Sequence, residues 1–123
     1  MTTWLQPLSK PNSLGRTLVW SLPRGLPRHG GTCPGAGQCL AWCYGAKGRY
    51  VFPLVQACHR RNLALTKNYL NFVATIDAEL SRKRKPVAAI RIHGTGDFYS
   101  QKYLNAWVQI VAWNPDILFY CYT

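Results

Sequence analysis

Three cysteines, Cys33, Cys39 and Cys43, fall within eleven residues of a glycine- and proline-rich segment, TCPGAGQCLAWC. Thiolates bind zinc and iron-sulfur clusters strongly, and a Gly/Pro loop lets the backbone turn tightly enough to aim several sulfurs at one centre. A single cysteine would read as a small buried apolar side chain. Three together, outside any apolar periodicity, read as metal ligands in preference to core residues or a disulfide, with zinc or an iron-sulfur cluster as the bound group. His93, Cys121 or an external ligand could fill a fourth position, and the sequence does not choose among them. A total of five cysteines suits reduced thiols or metal better than a closed disulfide framework.

The charge is the second signal. Fifteen Lys and Arg face four acids, Asp77, Glu79, Asp97 and Asp116, for a net charge of +11 over 123 residues. So one-sided a balance calls for an anionic partner, most commonly nucleic acid or a ribonucleoprotein. The candidate surface combines Arg60, Arg61 and Lys67 on one side of a helix with Arg82, Lys83, Arg84 and Lys85 at its end. A helix C-terminus attracts such basic runs through its dipole alone, which weakens that part of the signal. His59 taken alone reads as part of a solvated face. Arg60 and Arg61 lie off the helix's apolar stripe, so reversing their charge is expected to leave the fold intact. Arg16, Arg24, Arg28 and His29 make residues 1–31 basic as well.

These groups must be positioned by ordinary elements. Hydrophobic residues form 48% of the chain and aromatics 13%, which excludes a disordered tail and requires a packed core of about one domain. No run approaches the ~20 apolar residues of a membrane span, and the N-terminus lacks a basic region followed by an apolar stretch, so a cytoplasmic protein is expected. Residues 1–31 read as an irregular basic arm containing one short strand at 17–22, and residues 32–123 as a single α/β domain with a Cys-rich loop at 32–50. From Pro53, the residues Val55, Cys58, Asn62, Leu65, Tyr69, Phe72, Ile76 and Leu80 recur at helical spacing, giving one long helix or two collinear ones. On this stripe Cys58 reads as core, and Asn62 is the only polar member.

A strand follows over residues 87–93, then a tight Gly94-Thr95-Gly96-Asp97 loop, a helix capped by Ser100 with Tyr103, Leu104, Trp107, Val108 and Val111 on its apolar face, and a last strand over 117–123. Strand, helix, strand in this order is a parallel β-α-β unit, expected to be right-handed. The fold class is therefore α/β, with a small, open, partly parallel sheet. Ligands on such sheets gather beyond the carboxyl ends of the strands, here at His93, Gly94, Thr95, Gly96 and Asp97, with Cys121 at a similar level. The loop has neither a Walker lysine nor a GxGxxG spacing.

Trp20-Ser21-Leu22-Pro23, Thr32-Cys33-Pro34-Gly35-Ala36, Cys43-Tyr44 with Lys47-Gly48-Arg49-Tyr50, Arg61-Asn62-Leu63, Arg91-Ile92-His93 with Gly96-Asp97-Phe98-Tyr99-Ser100, and Tyr120-Cys121-Tyr122-Thr123 together resemble the phage and plasmid gene product 88 domain family. The resemblance implies a protein carried by mobile elements, for which a counter-defence role such as that of an anti-CRISPR is an expectation. The same segments are distantly similar to the front of a radical-SAM barrel. That similarity implies a cluster on Cys33, Cys39 and Cys43, and S-adenosylmethionine positioned by Gly94, Gly96 and Asp97. The cysteine spacings of five and three intervening residues depart from that superfamily's three and two, and barrels of that kind typically need some 200 residues or more. The apolar edge at residues 119–122 is expected to be covered by a partner or by a second copy in a homo-oligomer. Binding of nucleic acid or a host ribonucleoprotein by a metal-stabilised module is the preferred reading, and an iron-sulfur metalloenzyme is the alternative.

Overall fold

The computed structural model describes residues 6–7, 17–43, 48–81 and 87–121. The run Arg82, Lys83, Arg84, Lys85 lies outside the described residues, as do Arg16 and residues 44–47 of the Cys-rich loop. The strands are β1 (Gln6–Pro7), β2 (Thr17–Trp20), β3 (Ala89–Ile92) and β4 (Leu118–Tyr120), and the helices α1 (Cys39–Trp42), α2 (Pro53–Thr66), α3 (Tyr69–Ser81) and α4 (Gln101–Trp113). The sheet order is β1-β2-β3-β4, with β2, β3 and β4 parallel and the two-residue β1 antiparallel on the outer edge of β2.

The expected α/β architecture with a small, open sheet is therefore present, and β3-α4-β4 forms the expected parallel unit. A second crossover, through α2 and α3, joins β2 to β3. The segment read as an irregular arm supplies an inner strand: Leu18, Trp20 and Leu22 are fully buried.

Register explains why one sheet face becomes the core. Leu18 pairs with Ile90 and Trp20 with Ile92, so strand alternation puts all four on one face. The rings of Trp20, Phe72 and Trp107 close over that face, with centroids 5.2 Å apart for Trp20–Phe72 and 5.5 Å for Phe72–Trp107. Phe119 of β4 joins them against Trp107. Fully burying side chains of this size is worth about 1.5–3 kcal/mol each, so this aromatic layer is the main adhesive between helices and sheet.

The helical stripe is realised in two segments. Asn62, Leu65, Phe72 and Ile76 are buried, and Val55, Cys58, Tyr69 and Leu80 are half-buried. The break falls at Lys67 and Asn68, where the Asn68 side chain accepts a hydrogen bond from the Asn71 N–H at 3.0 Å and starts a new helix. Asn62 is the polar member of the stripe because its side-chain amide donates to the Ser21 carbonyl at 3.0 Å, tying α2 to the chain leaving β2. Ser100 caps α4, accepting from the Tyr103 N–H at 3.2 Å. β4 is an edge strand, with Leu118 exposed. No helix among the described residues is long and apolar enough to cross a membrane.

Candidate anion-binding site at the carboxyl edge of the sheet

Beyond the carboxyl ends of β2 and β3 the two chains stay together. The Gly94 N–H donates to the Trp20 carbonyl at 2.9 Å, and the Leu22 N–H donates to the Thr95 carbonyl at 3.0 Å. The Thr95 hydroxyl donates back to the Leu22 carbonyl at 2.8 Å. Buried Thr32 then locks a third segment to this edge: its hydroxyl donates to the Pro23 carbonyl at 2.8 Å and accepts from the Asp97 N–H at 3.1 Å.

Residues 23–33 form a compact loop closed on itself. The Thr32 N–H donates to the Pro23 carbonyl, the Cys33 N–H to that of Gly25 and the Gly31 N–H to that of Leu26. Gly31 is obligatory here for space, since a Cβ on it would lie 2.2 Å from the Gly25 carbonyl oxygen.

This loop and α2 line an open concavity of about 470 Å³. Arg24, Arg28 and His29 come to it from the loop, and His59 and Arg60 from α2. Pro23, Leu26 and Leu40 add apolar wall, Thr95 lines it at the sheet edge, and no acidic residue is among its described lining residues. The three arginines are exposed. Burial holds the half-buried His59 imidazole below its ordinary pKa, favouring the neutral ring. The cavity thus joins the basic segment to the basic helix, which are about thirty residues apart in sequence.

The other predicted basic residues divide. Arg61 is half-buried and does not line this cavity; its guanidinium donates to the Cys58 sulfur at 3.4 Å. Besides its charge, Arg61 thus makes a contact within α2. Lys67 lies with its ammonium 4.6 Å from the centroid of the Tyr99 ring, a cation–π contact away from the cavity lining.

Cys33 closes this loop, and Cys39 and Cys43 follow it at the start and just past the end of α1. Burial raises the Cys33 thiol pKa; a hydrogen bond from the Gly25 backbone lowers it, and the negative potential of Asp97, Cys43 and Cys39 raises it further. The three thiols and the Asp97 carboxylate are thus near enough to interact electrostatically. Among the described residues, however, no three His, Cys, Asp or Glu side chains are gathered at ion-binding distance. The donor chemistry fits zinc or an iron-sulfur group, and the placement would require the thiols to draw in. Cys121 is exposed beyond β4.

His93 is committed elsewhere. Its backbone takes a left-handed φ of 68°. Its ring packs edge-on against Phe98 and its Nε2 lies 2.7 Å from the Tyr103 hydroxyl. That hydroxyl also accepts from the indole N–H groups of Trp20 and Trp107, both at 3.0 Å. With its acceptor capacity filled by two indoles, the hydroxyl must donate its one proton to Nε2. His93 is therefore a neutral imidazole protonated at Nδ1, and burial depresses its pKa to about 4. Metal ligation through Nδ1 would move the ring proton to Nε2, where the Tyr103 oxygen has no lone pair left for it.

Gly96 is likewise explained by packing. Its φ is +88°, and a Cβ there would lie 2.6 Å from the Thr32 hydroxyl and 2.8 Å from the Leu22 Cβ. Protein atoms fill the space beside its Cα where a side chain would stand, and Gly94 continues the backbone ladder. Asp97 is exposed, and its carboxylate accepts from the Phe98 N–H at 2.7 Å.

Sequence reasoning missed two things. Tyr103 was visible only as an apolar-face residue, although a tyrosine at a fully buried helix position carries a hydroxyl that needs partners. His59 reads as solvated surface from sequence because nothing local connects residues 56–60 with residues 23–30, which share its cavity.

Comparisons with known proteins place these features in a family. The family model described as "Gene product 88" matches residues 2–123. Over 109 residues the chain is 32% identical to the Gene 88 protein of Mycobacterium phage L5, covering 80% of this chain and 46% of the relative. It is 31% identical over 109 residues to the Gene 88 protein of Mycobacterium phage D29, covering 80% of this chain and 45% of the relative. The chain thus spans less than half the length of these curated relatives. No solved structure matches. These matches carry the gene product 88 resemblance and give no support to the radical-SAM one: the chain belongs to the gene product 88 family.

Proposed function

We propose that this protein is a small phage accessory factor that binds nucleic acid, alone or within a host ribonucleoprotein, through the cationic cavity at the carboxyl edge of its sheet. The observation that carries the reading is the convergence of Arg24, Arg28 and Arg60 on one cavity whose described lining includes no acid. Guanidinium groups match phosphate oxygens in both charge and geometry. A net charge of +11 extends the attraction beyond the cavity and favours rapid, salt-sensitive association. Membership of a family with mycobacteriophage relatives supports the accessory role, and counter-defence, including inhibition of a CRISPR ribonucleoprotein, is the setting in which such binding would serve a phage.

Metal at Cys33, Cys39 and Cys43 belongs to this reading as a structural staple. Zinc or an iron-sulfur group there would fasten the loop whose other residues wall the cavity, since Cys33 is hydrogen-bonded to Gly25 and Leu40 adjoins Cys39. Pairing of a second copy along β4 is the oligomeric form it includes.

The test is direct binding. Fluorescently labelled single- and double-stranded RNA and DNA, titrated with purified protein at low salt, should show saturable binding that weakens as salt rises. Binding of none of the four at low salt would reject the reading.

A further inference from the structure

The cavity's shape narrows the ligand beyond a polyanion, and this inference rests on the nucleic-acid reading above. A surface that follows a nucleic-acid backbone presents its cations along a groove or stripe. Here they surround a concavity of about 470 Å³, within the size range of small-ligand sites, which is room for about one nucleotide unit.

The wall is preorganised. Residues 23–33 are held by their own backbone hydrogen bonds and by Thr32, so Arg24, Arg28 and His29 start from an ordered loop. On the other side, Arg60 and His59 project from a regular helix. Neither frame has to fold around its ligand, which reduces the ordering cost of binding.

A phosphodiester inside a chain carries one negative charge and two free oxygens. A terminal phosphate monoester carries close to two charges and three acceptor oxygens. Arginines converging from two directions suit the second group better, because each can approach a different oxygen pair. Leu26, Leu40 and Pro23 offer apolar surface to the attached sugar or base.

The geometry points to a terminal phosphate monoester of a nucleotide as the group this cavity takes, supplied either by a nucleic-acid end or by a free nucleotide. The site recognises an end rather than a sequence, and no bond is made or broken in the proposal.

The experiment compares four labelled oligonucleotides of one single-stranded sequence: 5′-phosphate, 3′-phosphate, both ends hydroxyl, and a circular form without ends. A nucleoside monophosphate serves as unlabelled competitor. Hydrogen bonds to charged groups are worth about 1.5–3 kcal/mol, so one phosphorylated end should bind about tenfold or more tighter than the hydroxyl and circular forms. The monophosphate should displace it at concentrations where the unphosphorylated nucleoside does not. Displacement at micromolar monophosphate would identify the free nucleotide as the source, and displacement only at millimolar levels the nucleic-acid end. Arg28→Lys, which keeps the charge but loses the fork, should erase most of the end preference while leaving the salt dependence in place. Arg28 is exposed, and an unchanged circular dichroism spectrum and melting temperature would confirm that the variant folds. Equal binding of all four forms would overturn end recognition and leave the polyanion reading intact. Failure of all four to bind would overturn both.

Discussion

Replacing Tyr103 by Phe removes a single oxygen, yet that oxygen serves three buried partners. Trp20 and Trp107 each donate an indole N–H to it, and His93 receives its proton at Nε2. Trp20 and Trp107 are 0% and 1% exposed, and His93 is 6% exposed, so water does not readily replace the lost bonds. Each orphaned buried group costs about 1–3 kcal/mol. Phenylalanine no longer has a hydroxyl of its own to desolvate, which offsets part of the loss, and a net destabilisation of about 3–5 kcal/mol is expected. Against a typical total of about 5–15 kcal/mol, this is a large fraction of the fold's stability. At about 4 °C per kcal/mol for a chain of this size, the melting temperature should fall by about 12–20 °C. Urea denaturation followed by tryptophan fluorescence measures it, because the probe and the perturbation share the same rings. Tyr99→Phe is the control: its hydroxyl has one partner among the described residues, Thr66 at 2.6 Å, and about 1 kcal/mol should be lost. A Tyr103→Phe loss of under about 1 kcal/mol would refute the hydrogen-bond assignment, and with it the neutral, Nδ1-protonated state of His93.

Three further outcomes follow from the same geometry. His93 has a folded pKa of about 4 against about 6.5 unfolded, so between those values the unfolded chain binds the extra proton; stability should fall by about 3 kcal/mol as pH drops through this window and flatten below it, and His93→Asn, which tolerates the left-handed backbone, should abolish that component in pH-dependent urea titrations. Gly31→Ala should cost about 1–3 kcal/mol and weaken ligand binding by opening the loop, whereas Gly35→Ala, whose Cβ would meet nothing within 4 Å, should be nearly neutral by thermal melting. Protein purified without oxygen should carry zinc or iron that is lost in the Cys33→Ser, Cys39→Ser, Cys43→Ser triple variant, with proton release on metal rebinding because burial and its acidic neighbours keep the Cys33 thiol protonated; less than about a tenth of an equivalent of either metal by elemental analysis would exclude the site.

Much of the frame was legible in the sequence. The stripe from Val55 to Leu80 is written at helical period, and Ser100 stands where its side chain caps α4. The β3-α4-β4 unit follows from two apolar runs flanking an amphipathic one. The break at Asn68 was the weaker signal, because the stripe runs through it unchanged and only the capping side chain marks a new start. The candidate site was legible in its chemistry and not in its assembly. Arg24, Arg28 and Arg60 were visibly basic, but their meeting depends on a loop closed by long-range hydrogen bonds through Thr32, Pro23 and Asp97. The roles expected for His93 and Gly96 came from their position at the strand end. Tertiary packing places structural demands on both as well, since the Tyr103 hydroxyl lies against His93's nitrogen and the Thr32 side chain occupies the space where a Gly96 side chain would stand.

The central claim is that the cavity arginines neutralise phosphates. Each phosphate contact on a single strand contributes about 0.7 to the slope of log affinity against log salt. One phosphate group held among the three arginines therefore accounts for about 0.7 of that slope. The measurement is fluorescence anisotropy of a labelled single-stranded oligonucleotide from low to near-physiological salt, with wild-type protein and with the Arg24→Glu, Arg28→Glu, Arg60→Glu triple variant. The account predicts a steep linear dependence for the wild type, and for the variant weaker binding with a slope shallower by about 0.7 or more. A variant that binds with unchanged affinity and slope would contradict it and assign the charge of this edge to ordinary solvated surface.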